Sequence, residues 1–129
     1  MTAPRRILIV DDAEDARGIL AIALGTIGGA VVNTADSAEA ALESIAADGV
    51  DVLITDVRMS GMSGLELLGA LRQRGLWPSC GAVVISGETD RDLGERASAS
   101  GAAYYFSKPF SAGVVRKAVM ALLEGCSGE

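Results

Sequence analysis

The chain has 129 residues, half of them apolar, with 17 acidic against 11 basic side chains and a net charge of −6. This length fits one domain with a real core, and the acidic balance gives no electrostatic drive toward nucleic acid or anionic lipid, so neither is expected as a direct partner. The complete lack of histidine excludes Ser-His and Cys-His catalysis and histidine-based zinc sites.

Short apolar runs alternate with amphipathic stretches. Arg6 to Val10 is a continuous apolar strand signal, as are Val50 to Thr55 and Gly81 to Ile85; such runs suit strands buried on both faces of a parallel sheet. Ala30 to Ala35 is a weaker strand and Ala102 to Phe106 a fifth. After the first strand, Ala16, Ile19, Leu20, Ala23, Leu24 and Ile27 recur at helical spacing up to Gly28-Gly29. Asp36 with Glu39 reads as a capping box ahead of Ala38, Ala41, Leu42 and Ile45, and Ser63 with Glu66 as another ahead of Leu65, Leu68 and Leu71. Thr89 reads as the cap of a fourth helix with a thin stripe of Leu93 and Ala97. Ser111 caps a fifth with Val115, Ala118, Val119, Leu122 and Leu123 inward, and Gly125 stops it.

Strand and helix thus alternate five times, which predicts an α/β fold with a parallel sheet and right-handed crossovers. Five strands allow several orders. The flavodoxin-like doubly wound order 2-1-3-4-5 is one of the two common ones, and it opens a crevice between the carboxyl ends of strands 1 and 3. One domain over 1–129 is expected, with its core at about 5–124 and a short polar tail over 125–129.

The apolar stretches are strand-length, too short to span a membrane, and the run from Ile7 to Val10 is stopped by Asp11 and Asp12. A signal peptide needs a longer apolar core, so a cytoplasmic location is expected. Cys80 and Cys126 form no CxxC pattern, and the expectation is two reduced, mostly structural thiols. Trp77-Pro78 falls at the other end of the sheet from the crevice and reads as a turn anchor.

The residues that carry chemistry stand at strand ends. Asp11 and Asp12 follow strand 1, Asp56 ends strand 3, Ser86 leaves strand 4 and Lys108 leaves strand 5. Taken singly these are ordinary: acidic pairs usually cap helices, Ser86 can bond to backbone, and Lys108-Pro109 is a turn. Brought together, three carboxylates repel strongly unless a hard cation joins them, and Mg2+ prefers such oxygen donors and binds phosphate as well. An aspartate is a known class of nucleophile that forms an acyl phosphate. Lys108 and Ser86 have the charge and hydroxyl that phosphoryl oxygens require.

Asp11-Asp12, Asp56 followed by Met59 and Gly64, Ser86-Gly87, and Lys108-Pro109-Phe110 together resemble the receiver domain of two-component response regulators, over essentially the whole chain from Arg6 to about Leu123. The resemblance implies Asp56 as phosphoacceptor, and Asp12, Asp11, Asp56 and the backbone carbonyl of Arg58 as Mg2+ ligands. It implies that Ser86 and Lys108 bind phosphoryl oxygens, that Tyr105 is an aromatic switch residue, and that Pro109 follows a cis peptide. The implied partners are a sensor histidine kinase or a histidine phosphotransfer protein. Output would run to a partner or further domain, or to a second copy in a homodimer, through helix 4, strand 5 and helix 5. The implied protein is a switch rather than an enzyme beyond its own phosphorylation and slow dephosphorylation. Ser60 departs from the proline common there and is expected to loosen the loop after strand 3. Arg58 and Glu88 are expected to pair across the crevice and screen the acyl phosphate, with small Gly87 leaving the site open to a donor.

Other functions fit less well. An FMN carrier of this fold needs a Ser/Thr/Gly-rich phosphate loop where Asp11-Asp12-Ala13-Glu14-Asp15 stands, and an aspartate-based phosphatase needs an acid where Arg58 stands. A binding module that is never phosphorylated would not need the full set of acids, hydroxyl and lysine.

Overall fold

The computed structural model describes residues 3–87 and 93–126. Its elements are β1 (Arg5–Val10), α1 (Glu14–Leu24), β2 (Ala30–Ala35), α2 (Ala38–Asp48), β3 (Val52–Asp56), α3 (Gly64–Gln73), β4 (Gly81–Ser86), α4 (Leu93–Ala99), β5 (Tyr104–Ser107) and α5 (Ala112–Gly125). The strands form one five-stranded sheet in the order β2-β1-β3-β4-β5, parallel at every pairing. The expected flavodoxin-like topology is therefore the one adopted.

Strand alternation divides the core into two layers. Leu8, Val10, Leu53, Ala82 and Val84 face α2, α3 and α4, where Leu42, Ile45, Leu67, Leu68 and Leu71 close over them. Ile7, Ile9, Val52, Ile54, Val83 and Ile85 face α1 and α5, meeting Leu20, Leu24, Val115 and Val119. Each such side chain stabilises the fold by about 1.5–3 kcal/mol when fully buried. β3 is central and buried at every position, which is why its sequence is a continuous apolar run. β2 lies at the sheet edge with one buried residue, Ala35, so its weaker apolar signal follows from its position.

Helix ends show where local chemistry sets boundaries. Ser63 and Glu66 form the expected capping box, and Ser111 accepts from the Val114 N–H. The cap of α2 is Ser37, which accepts from Ala40 N at 3.1 Å, rather than Asp36. Both are good capping types, and spacing alone cannot separate adjacent ones. Helix α1 ends at Leu24 with Gly25 as its cap, ahead of the Gly28-Gly29 stop expected from sequence. Its inward stripe is narrow: Leu20 and Leu24 are buried, whereas Ile19 is exposed. The Thr89 cap lies outside the described residues.

The cysteines correct another expectation. Cys80 stands just before β4, Cys126 caps α5, and the two form a disulfide with their Cα atoms 5.2 Å apart. They are 46 residues apart in sequence, so no spacing motif announces the pair. The crossover of α5 back along the sheet is what brings its end beside the start of β4.

Candidate functional site

The site forms where the chain turns in opposite directions. After β1 the chain passes to α1 on one face of the sheet, and after β3 it passes to α3 on the other. These neighbouring strands therefore leave an open crevice at their carboxyl ends. Val10 pairs with Thr55, so Asp11 and Asp12 emerge beside Asp56.

One oxygen from each of Asp11, Asp12 and Asp56 lies within 4.8 Å of the others. Asp11 and Asp56 are only 3% and 6% exposed, while Asp12 faces solvent. Lys108 Nζ donates to Asp56 Oδ2 at 3.1 Å and lies 3.6 Å from Asp11 Oδ2. Burial pushes the Asp56 carboxyl above its ordinary range, the Lys108 hydrogen bond pulls it down, and the Asp11 charge pushes it up, with a net upward shift. For Lys108, burial works against the charge, but the hydrogen bond to Asp56 and the charges of Asp56 and Asp11 outweigh it. The ammonium is thus held above the ordinary lysine value.

Backbone groups aim these side chains. Asp11 Oδ1 accepts from Ala13 N at 2.9 Å, and the Asp11 carbonyl accepts from Arg17 at 2.7 Å. Thr55 donates its hydroxyl to the Asp56 carbonyl at 2.9 Å. The Val57 N–H donates to the Ile85 carbonyl, and the Gly64 N–H to the Val57 carbonyl. A side chain at Gly64 would run into the Asp56 carbonyl group, so glycine lets α3 start directly against the strand end. On the other wall, Ser86 is fully buried and its carbonyl accepts from Lys108 N at 2.7 Å. The Lys108–Pro109 peptide is cis.

Asp11, Asp12, Asp56 and Lys108 are thus brought into one cluster, with Ser86 joined to it through the Lys108 backbone. Gly87 is exposed, and a Cβ there would make only ordinary contact with the Lys108 side chain. Arg58 is exposed in the loop two residues beyond Asp56. Tyr105 is half-buried and packs on the three-helix layer, with its ring beside Gly94 of α4. Glu88 lies outside the described residues.

Two contacts made by the loop after β3 were not legible in the sequence. Ser60 donates its backbone N–H to Asp12 Oδ2 at 3.2 Å. Proline has no such donor, so Ser60 adds a tie to Asp12 where the sequence suggested only a looser loop. Glu39 reaches from α2 to accept from Met62 N at 3.3 Å and lies against Gly61. In sequence Glu39 reads as the capping-box partner of Asp36, with no sign of this loop contact.

The donor set fits a hard divalent cation. Three carboxylates face one ammonium, and all their ligand atoms are oxygen, the set that Mg2+ takes.

A doubly wound sheet with an acid triad and a lysine at its switch point defines a small class of signalling domains. Residues 7–120 match the family model described as the response regulator receiver domain, and the chain belongs to that family. It is 32% identical over 123 residues to the chemotaxis protein CheY of Pseudomonas aeruginosa, covering 95% of this chain and 99% of that one. It is 36% identical over 102 residues to the DNA-binding transcriptional regulator NtrC of Escherichia coli, covering 79% of this chain but only 21% of that one. Among solved structures, a chemotaxis protein CheY4 of Vibrio cholerae superposes with a TM-score of 0.83 at 28% identity, covering 93% of this chain and 99% of that one. The chain is accordingly a receiver domain of a two-component response regulator.

Proposed function

We propose that the chain is a Mg2+-dependent phosphoacceptor in which Asp56 takes a phosphoryl group from a phosphohistidine on a partner. The observation that supports this most strongly is the Asp56 carboxylate, buried beside Lys108 at 3.1 Å and clustered with Asp11 and Asp12. An Asp56 carboxylate oxygen attacks phosphorus, the N–P bond of the donor breaks, and the freed imidazole takes a proton, leaving an acyl phosphate. Asp11, Asp12, Asp56 and the Arg58 carbonyl would hold Mg2+, which when bound neutralises charge on the transferring oxygens. Lys108 pairs with one phosphoryl oxygen, and Ser86 donates its hydroxyl to another. Gly87 leaves room for the donor.

Moving Ser86 and Lys108 onto the new group pulls on β4 and β5. Tyr105, packed beside Gly94, follows and shifts the two-state balance of the face made by α4, β5 and α5. Helix α4 is short, seven residues, and packs its Gly94 beside the Tyr105 ring, so it can shift with that ring. The partners are a sensor histidine kinase or histidine phosphotransfer protein on the donor side. On the output side that face meets a further domain, another protein or a second copy. The chain acts as a switch, with slow dephosphorylation of its own, and its core spans about 5–124. No described helix is long and apolar enough to cross a membrane, and we place the domain in the cytoplasm.

The test is intact mass after incubation with Mg2+ and a small acyl or amide phosphate, for wild type and Asp56→Asn. The expected result is one base-labile phosphoryl group on wild type only, and none where chelator is present before the donor is added. No adduct together with no Mg2+ binding would instead favour an unphosphorylated binding module.

A further inference from the structure

The end of the molecule remote from Asp56 holds a second reactive group. Cys80 and Cys126 are both half-buried, so small thiols and disulfides can reach them. Their Cα separation of 5.2 Å suits a disulfide without backbone movement. Arg5 of β1 points one guanidinium nitrogen at Cys80 Sγ at 3.2 Å and another at the Cys126 carbonyl at 3.2 Å. A cation at that distance favours thiolate over thiol and makes Cys80 the better nucleophile. Ser79 places its hydroxyl 3.8 Å from Cys80 Sγ, and its carbonyl lies 3.6 Å from Cys126 Sγ.

We propose that Cys80 and Cys126 form a reversible dithiol–disulfide site, with Arg5 activating Cys80 and a low-molecular-weight disulfide such as oxidised glutathione as the oxidant. The Cys80 thiolate attacks the small disulfide, giving a mixed disulfide and releasing one small thiolate. The Cys126 thiolate then attacks the Cys80 sulfur and releases the second. The protein loses two protons and two electrons, and the oxidant becomes two thiols. Asp51 is held by the Ser79 hydroxyl at 2.6 Å and the Arg6 N–H at 2.7 Å, and Glu124 lines a hollow with Arg5 on the α5 side.

The bridge has a defined mechanical consequence. The loop it closes, from residue 80 to 126, contains β4, α4, β5 and α5. Oxidation therefore pins the end of α5 to the start of β4 and restrains the segment between them. This site does not depend on the phosphorylation reading, and Asp56→Asn is expected to oxidise as wild type does.

The experiment equilibrates the folded chain in glutathione buffers from fully reduced to fully oxidised. Thiols are then quenched and alkylated, and intact mass counts them while circular dichroism follows the fold. The expected result is interconversion between two free thiols and none, in both directions, with the fold retained. The last turn of α5 should exchange its amide hydrogens more slowly in the oxidised form. Cys126→Ser should accumulate one glutathionyl group on Cys80. Adding Arg5→Ala to that variant should slow its formation about three- to tenfold at neutral pH and move the pH–rate profile upward. The proposal is overturned by thiols free in every buffer, or by a bridge that opens only on unfolding. It is equally overturned by unchanged α5 exchange, by an adduct confined to Cys80→Ser, or by a rate indifferent to Arg5.

Discussion

Asp56 and Lys108 face each other under opposed demands. The carboxylate is buried away from water, yet burial beside Asp11 disfavours its charge. Its raised pKa has a sign that can be checked. Without metal, the unfolded chain loses this proton at a lower pH than the folded one. The carboxyl therefore costs stability above its folded pKa, and the cost fades as pH falls toward the ordinary carboxylate range. Asp56→Asn is expected to be more stable than wild type at neutral pH in chelator, with the gap narrowing in acid; denaturant unfolding at several pH values reads this directly. A metal ion competes with the same proton. Mg2+ affinity should fall as pH drops through the raised pKa, by up to about tenfold per unit for one displaced proton. Titration calorimetry across pH would show it, and a flat profile would mean that Asp56 is not a ligand.

Helix α3 begins with two devices that have different purposes. Ser63 caps it through a reciprocal box with Glu66, and such a cap contributes about 1 kcal/mol. Gly64 makes no comparable bond through a side chain, but its missing Cβ is what lets the helix start against the Asp56 carbonyl. Ser63→Ala should therefore lose about 1 kcal/mol of unfolding free energy and keep its Mg2+ affinity. Gly64→Ala should lose about 1–3 kcal/mol through overpacking and weaken Mg2+ binding as well, because relief of the clash moves Asp56. Denaturant melts paired with metal titrations separate the two, and equal metal affinities in both variants would show that the close approach of α3 does not position the carboxylate.

Across the whole molecule, a cation held by the acid cluster would tie its binding to folding. Asp11 and Asp12 follow β1 and Asp56 ends β3, so they converge only when the sheet forms. A ligand that binds only this state at a hundred times its dissociation constant adds about 2.7 kcal/mol of stability. For a chain of this size the melting temperature should rise by roughly 10 °C with Mg2+ and return with chelator. Asp56→Asn should show a much smaller rise. Calorimetric melts with and without the metal make the comparison.

The division between what was legible and what was not follows from range. Sequence by itself determined the alternation of five strands and helices, because buried parallel strands must be continuously apolar and amphipathic helices must repeat near 3.6 residues. It also determined the residue types of the cluster, since Asp11, Asp12, Asp56, Ser86 and Lys108 stand at or just beyond strand ends whatever the strand order. Local signals failed between equivalent neighbours, as with Asp36 and Ser37, and on α1, where Ile19 fits the period but not the narrow contact with the sheet. Only the tertiary structure decided that β1 and β3 are neighbours, which makes scattered acids one site. Only it brought the Ser60 N–H to Asp12, Glu39 to the β3–α3 loop, and Cys80 to Cys126. Each of these contacts joins residues distant in sequence through backbone placement, and no local propensity or periodicity encodes the distance between two crossovers.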